Sequence, residues 1–310
     1  MQIQRQSFGR LEMIKIENKL GNFIEIIPEM GCLLNAFQFN GKNIFDGYTS
    51  EQDLLDNFYS SYKGAFLSPY PNRIEEGKYS FGNQSYQLNM NLSDGNGNSI
   101  HGLIARAKYS LKKIIKKDSE VAISLSHKYN NTDPGFPFSY EIVKMISFSE
   151  ADELKIRTKI INTSPTQIPM GDGWHPYFNT GSKVNDLDIS FRATYLSVTN
   201  DKGIPTGETQ PYNSFNQLSP IESTQFDDCF LLKDSSEGHI TKLVDKSKDI
   251  KIEIWQDAIQ RYLQIYTPPG RESIAIEPMT CEPNAFNSGQ GLIVMNPNDE
   301  ITLNMAIRVV

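Results

Sequence analysis

Histidine is scarce in this chain of 310 residues, which has four. Tryptophan appears twice and cysteine three times. Cys32, Cys229 and Cys281 are odd in number and far apart. They show no Cys-x-x-Cys spacing and no histidine at ligand spacing, so neither a disulfide framework nor a zinc site is indicated. They read as small core or strand residues, and no metal is expected. Basic charge is also in deficit: 30 Lys and Arg stand against 37 Asp and Glu, a net charge of −7. No positive stripe is available to neutralise phosphates, which argues against nucleic acid as a partner. No window approaches the roughly 20 apolar residues that a bilayer requires, so no membrane partner is expected. The first ten residues have no apolar stretch behind their charge, which predicts no secretory leader and a cytoplasmic location.

What is present leans towards strands. The sequence has 33 Ile against 11 Ala, and 25 Asn. β-Branched Ile favours strands, Ala favours helices, and Asn tolerates the backbone of turns. Hydrophobic residues at 38% supply a sizeable core and exclude disorder. Period-2 alternation recurs along the chain, as in Asp186-Leu-Asp-Ile-Ser-Phe191, Ile250-Lys-Ile-Glu-Ile-Trp255 and Glu300-Ile-Thr-Leu-Asn-Met-Ala-Ile307. Turn residues separate such runs, for example Asn40-Gly41, Asp94-Gly-Asn-Gly-Asn98 and Pro268-Pro-Gly270. The pattern predicts an all-β chain of about fifteen or more strands, folded over residues 1–310 as a single large antiparallel β-sandwich. The plausible helices are short, and Gln52–Asn57 is one candidate. Lys112–Lys117 reads as the end of a strand opening a hairpin, with solvated charges.

Five segments break the strand rhythm. In Gly64-Ala-Phe-Leu-Ser-Pro-Tyr-Pro-Asn-Arg73, prolines bracket Tyr70 and Asn72-Arg73 follow at once. Proline fixes φ, which aims the guanidinium of Arg73 at hydroxyls or a carboxylate, or else ties down a loop. His101 sits between an Asn/Gly loop and Gly102, a place open to solvent. Pro169-Met-Gly-Asp-Gly-Trp-His-Pro-Tyr-Phe178 crowds Trp174 and His175 among aromatic residues, as a sugar pocket needs. In Ser273-Ile-Ala-Ile-Glu277, alternation puts Ile274 and Ile276 on one face and Ser273, Ala275 and Glu277 on the other. Small neighbours leave room beside Glu277, and Pro278 ends ladder donation right after it, as on an edge strand. In Gln225-Phe-Asp-Asp-Cys-Phe230, Asp227 and Asp228 alternate, so one of them can face a pocket.

Together these segments resemble the aldose 1-epimerase (galactose mutarotase) family, in a divergent bacterial form. The resemblance runs in order from Ala65–Ile74 through Gly77–Leu88, His101-Gly102, Gly135-Phe-Pro-Phe-Ser-Tyr140 and His175-Pro-Tyr-Phe178 to Glu277–Ala285. It implies a β-supersandwich and an enzyme that interconverts the α- and β-anomers of a hexose such as glucose or galactose. Position by position, it implies Glu277 as general base and His175 as general acid. His101, Arg73 and Asn72 would bind the sugar, and Asp227 would hold hydroxyls within Phe226-Asp-Asp-Cys-Phe230. No cofactor is called for, and the partner is a monosaccharide bound by a monomer or homodimer.

The chemistry agrees with those residue types. Changing the anomer needs a proton taken from the anomeric hydroxyl, one given to the ring oxygen, rotation about the C1–C2 bond, and reclosure. A carboxylate and an imidazolium can do this, each tuned by burial. Three departures bear on the substrate. Glu277-Pro-Met-Thr280 replaces the Glu-Thr-Gln of galactose-type enzymes, Pro283-Asn-Ala285 replaces Pro-Asp-Ala, and Trp174 is expected to narrow or reshape the pocket. Three alternatives stand beside this reading. They are a sugar-binding protein without catalysis, a hexose-phosphate mutarotase, and a glycosidase using Asp227 with Glu277. His127 and His239 lie in strand-like runs and need only structural roles.

Overall fold

The computed structural model describes residues 1–90 and 93–310. Among these the chain forms twenty-eight strands, more than the alternation alone revealed because many are two or three residues long. A nine-stranded antiparallel sheet runs in the order Ser110–Lys116, Glu120–Asn130, Ser139–Ser149, Glu153–Asn162, Glu300–Val309, Ile250–Gln256, His239–Asp245, Asp188–Ser190 and Ser219–Pro220. The alternation is realised directly: in Ile250–Gln256 every second residue is buried. Lys117 N–H closes a hairpin onto the Glu120 carbonyl at 2.8 Å, so the basic run does end a strand.

The site-bearing sheet has eight strands. Its order is Pro205–Pro211, Ala193–Thr199, Asp227–Leu232, Tyr262–Tyr266, Ile274–Met279, Gly173–His175 and Ala65–Leu67, with Tyr177–Phe178 also pairing Ile274–Met279. A five-stranded sheet, Gln2–Phe8 to Lys42–Asn43, precedes both. One apolar cluster joins all three sheets. Phe37 meets Phe148 of the nine-stranded sheet edge-on at 5.5 Å, and Phe45 meets Trp174 of the eight-stranded sheet at 5.7 Å. This is the expected all-β antiparallel sandwich. The three cysteines are free and buried.

The helix is longer than the sequence suggested, spanning Glu51–Ser61. Ser50 caps it by accepting from Asp53 N–H, and Leu54 and Phe58, four apart, bury its inner face. It ends where Tyr62 turns left-handed, at φ 49°. Its last turn, rich in tyrosine and serine, reads locally as strand or loop, and this is the end that reaches the site.

The two large sheets are also joined by charge. Lys144 reaches from the nine-stranded sheet to within 3.5 Å of Asp172, and neither side chain is exposed. The ammonium donates to Thr158 Oγ1 at 2.8 Å and lies 4.0 Å from the centre of the Phe66 ring. Asp172 N–H donates to Thr280 Oγ1, and Thr280 N–H donates to the Asp172 carbonyl. The bonds between Asp172 and Thr280 clamp together the segment before His175 and the segment after Glu277, and Lys144 ties this clamp to the nine-stranded sheet.

Candidate active site

Sheet register builds the site. Gly173 pairs with Met279 and Tyr177 with Ala275, so His175 falls opposite Glu277 between them. On the other side Glu277 pairs with Gln264. Residues opposite one another in a sheet share a face, so Gln264, Glu277 and His175 form one row. The next row on that face holds Asp227 opposite Tyr266, then Ala275, then Tyr177. Ala275 leaves the hollow between the two tyrosines, as the alternation of Ser273–Glu277 predicts.

Pro278 sits in the interior of the sheet, not at an edge. The ladder to the neighbouring strands pairs Gly173 with Met279 and resumes with Tyr177 opposite Ala275, so Pro278 lies in the unpaired stretch between them. Continuous pairing is thus absent where Pro278 has no N–H to give. The catalytic candidates flank that interruption.

Two loops complete the pocket. Asn72 and His101 are both left-handed, at φ 59° and 63°, and His101 N–H donates to the Asn72 carbonyl at 2.9 Å. Gly102 follows for a packing reason. A Cβ there would lie 2.3 Å from the Ser68 carbonyl oxygen, and its φ is +76°. His101 itself is buried rather than solvent-facing. Arg73 is directed by an acid more than by proline. Its Nε donates to Asp94 at 2.8 Å and its Nη1 to Asn72 Oδ1 at 3.1 Å. Burial works against the charge of Asp94, but hydrogen bonds from Asn98, Arg73 and Asn96 outweigh it and hold its carboxyl below the usual range.

The cavity has a volume of about 290 Å³. Asn72, Arg73, His101, His175, Asp227 and Glu277 all line it, so six of the seven residues singled out from the sequence meet in one place. Trp174 does not. It points to the opposite face, is fully buried, stacks on Phe66 at 5.8 Å and donates from its indole N–H to the Gly64 carbonyl. The expectation that Trp174 shapes the pocket is corrected to a core role, because neighbours on a strand face opposite sides.

The pocket has two sides. Tyr62, His101, His175 and Tyr177 make an aromatic arc, with successive ring centres 4.5, 5.0 and 5.0 Å apart. Facing it is a polar set: Asn72 donates to Gln264 Oε1, and Gln264 donates to Asp227. Gln264 was not anticipated, although a glutamine between Leu263 and Ile265 on a buried strand is the signal that marks it. Asp94, read only as part of a turn, gave no such signal.

His175 Nε2 lies 3.5 Å from Glu277 Oε1. Burial raises the Glu277 carboxyl well above its ordinary value, the Asp227 charge adds to this, and Arg73 opposes it. Burial lowers His175 to about 3. It also lowers His101 well below the ordinary imidazole value, with the charges of His175 and Arg73 adding to the effect. Burial thus disfavours the charged form of both members of the pair. Glu277 Oε2 and His101 Nδ1 are buried without a hydrogen-bond partner, as expected of atoms kept for a ligand. Among the described residues no cluster of His, Cys, Asp and Glu could hold a metal ion.

A family model described as Aldose 1-epimerase matches residues 12–308. The chain belongs to the aldose 1-epimerase family. It is 25% identical over 281 residues to the uncharacterized protein YihR of Escherichia coli (strain K12), covering 89% of this chain and 86% of that one. Among crystal structures, a galactose mutarotase-like protein from Clostridium acetobutylicum superposes with a TM-score of 0.89 at 20% identity, over 100% of this chain and 98% of that one. The galactose 1-epimerase of Lactobacillus acidophilus gives 0.80 at 16% identity, over 100% and 98%. At such identities the superpositions establish the mutarotase-like fold. Family membership establishes the protein, at that level, as a mutarotase-like sugar isomerase.

Proposed function

We propose that this aldose 1-epimerase family member interconverts the α- and β-anomers of a free hexose, such as glucose or galactose. The observation that carries the reading is the acid–base pair His175 and Glu277, 3.5 Å apart at the centre of the sugar-sized cavity. Glu277 takes the proton of the anomeric hydroxyl while His175 gives one to the ring oxygen. The bond from C1 to the ring oxygen breaks, its electron pair goes to that oxygen, and C1 becomes a carbonyl. After this step the pair is a neutral carboxylic acid and a neutral imidazole, the state that burial favours. Rotation about C1–C2 presents the other carbonyl face, and both transfers reverse. The step needs Glu277 as the carboxylate, which the Arg73 charge favours, and His175 as the imidazolium.

The aromatic arc suits the apolar face of a pyranose, and Asn72, Arg73, Asp227 and Gln264 suit its hydroxyls. The charges favour a neutral sugar over a phosphorylated one. The arginine of the pocket is already paired with Asp94, and Asp227 faces the same space. A pair of one carboxyl and one imidazole also suits proton shuttling better than glycoside cleavage, which uses two carboxylates. Polarimetry of freshly dissolved α-glucose and α-galactose tests the proposal. Acceleration over buffer is the expected result. Sugar binding by calorimetry without any acceleration would overturn it in favour of a non-catalytic sugar-binding protein.

A further inference from the structure

Among the described residues that line the cavity, Arg73 is the one lysine or arginine, set against three carboxyl groups, Asp94, Asp227 and Glu277. Asp94 takes no part in the proton transfers. Its side chain is 3% exposed, and its Oδ2 lies 2.8 Å from Arg73 Nε.

The two oxygens of Asp94 have separate tasks. Oδ1 accepts from Asn96 N–H at 2.8 Å and from Asn98 N–H at 3.1 Å, which shapes the 94–98 turn. That turn needs no charge, because an asparagine oxygen serves the same purpose nearby. Asn200 Oδ1 accepts from Lys202 N–H at 2.9 Å and from Ile204 N–H at 3.1 Å. Oδ2 of Asp94 instead accepts from Arg73 Nε and from Asn98 Nδ2, the latter at 3.0 Å. An amide nitrogen in its place would face two donors. The second oxygen, and the charge, therefore serve the guanidinium. Gly203 closes the other side of Arg73, where a Cβ would come within 3.0 Å of Cζ. Asn98 Nδ2 also donates to the Lys202 carbonyl at 3.0 Å, which joins the two turns around the arginine.

We infer that Asp94 is a specificity-determining residue: by holding the cavity's one cation in an ion pair, it leaves Arg73 able to donate to hydroxyls but unable to offset the charge of an anionic aldose. The inference rests on the mutarotase reading and deepens it, because it assigns the choice of substrate class to one residue outside the acid–base pair. An arginine free of such a partner would take a carboxylate or phosphate through its two-pronged fork. With Asp94 in place, an entering anion meets a guanidinium already paired, and Asp227 beside it. Glu277 adds a further negative charge when it is ionised for the reaction. A neutral sugar meets none of this repulsion and keeps the arginine as a hydrogen-bond donor.

Exchange NMR, which follows anomer interconversion at equilibrium, tests this with glucose and glucuronate. The two differ at C6, a hydroxymethyl against a carboxylate, so they are close in size and unlike in charge. The wild type is expected to favour glucose in kcat/KM by about tenfold or more. Asp94→Asn keeps an oxygen for the turn and releases the charge of Arg73. It is expected to lower the ratio of glucose to glucuronate by about tenfold, the effect of one unit charge a few ångströms away in a partly solvated cavity. Asp94→Glu keeps the charge and is expected to keep the wild-type ratio even where its activity falls. Where Asp94→Asn does not fold, Asp94→Ser serves, with the same shift expected. Equal losses for both sugars in the uncharged variant would show a purely structural role and overturn the inference, as would a wild type that turns over both sugars equally. A wild type that accelerates neither sugar would overturn the mutarotase reading, and the inference with it.

Discussion

Lys144→Met tests how the site is held. The ammonium is the counter-charge to Asp172, both groups are fully buried, and the pair spans the two large sheets. Burial lifts the Asp172 carboxyl from 3.8 to about 6 even with Lys144 beside it. Because that folded-state value is raised, the folded protein binds the proton more tightly than the unfolded chain does. Its contribution is therefore greatest below the ordinary value and is lost as pH rises through about 6. Removing Lys144 strips away the attraction that keeps the shift this small. At pH 8 the variant must bury an unpaired carboxylate, which costs about 3–5 kcal/mol. At pH 5 the carboxyl takes up a proton, and the loss shrinks to that of packing and the Thr158 bond. Urea denaturation at the two pH values measures the difference. Replacing both partners, as Lys144→Met/Asp172→Leu, is expected to recover most of the stability lost at pH 8. A single-variant loss below about 1 kcal/mol at pH 8, or equal losses at both pH values, would refute the argument.

Three further outcomes follow from the site. In the proposed mechanism Glu277 and His175 work with one proton between them, and burial pushes protonation of His175 down to about 3. Buffer-corrected kcat/KM is therefore expected to stay flat as pH falls through about 6.5, the ordinary imidazole value, and an acid limb centred there would contradict the buried pair. Gly102→Ala places a methyl 2.3 Å from a backbone carbonyl at a left-handed position. It is expected to lower thermal stability by at least about 1–2 kcal/mol and to reduce activity through the adjacent His101; an unchanged Tm would show that the loop yields. Arg73→Lys keeps the charge but loses the fork that joins Asp94 to Asn72. Polarimetric kinetics are expected to show kcat/KM reduced by about tenfold or more, and wild-type kinetics would reduce Arg73 to a simple charge.

Much of the fold and site could be read from the residues. Strand alternation and the excess of Ile over Ala gave the sandwich, because both reflect the pleat and its buried face. The same alternation put Glu277 on a face with Ala275, and the register made that face the floor of the pocket. Alternation applied to Trp174 and His175 would have sent the tryptophan to the core, yet the aromatic content of the segment drew it into the pocket. Asp94 and Gln264 were hidden for different reasons. Asp94 lies in an Asp-Gly-Asn-Gly stretch whose residues equally suit a plain turn, and its role emerges only when Arg73 folds back onto it. Gln264 carries a local mark, a polar residue between buried Leu263 and Ile265, but its cross-strand pairing with Glu277 is a partnership that no local pattern encodes. The interior Pro278 is likewise accommodated where the ladder to a segment a hundred residues earlier lapses between Met279 and Ala275.

In the proposed mechanism Glu277 and His175 move the protons of ring opening. The most direct test is polarimetry of freshly dissolved α-sugar with wild type and Glu277→Gln, each first shown to be folded by its melting transition. Glutamine keeps the shape and cannot accept the proton, so a rate lower by about 10²–10⁴-fold with the fold intact is expected. Wild-type acceleration in the folded Glu277→Gln variant would contradict it.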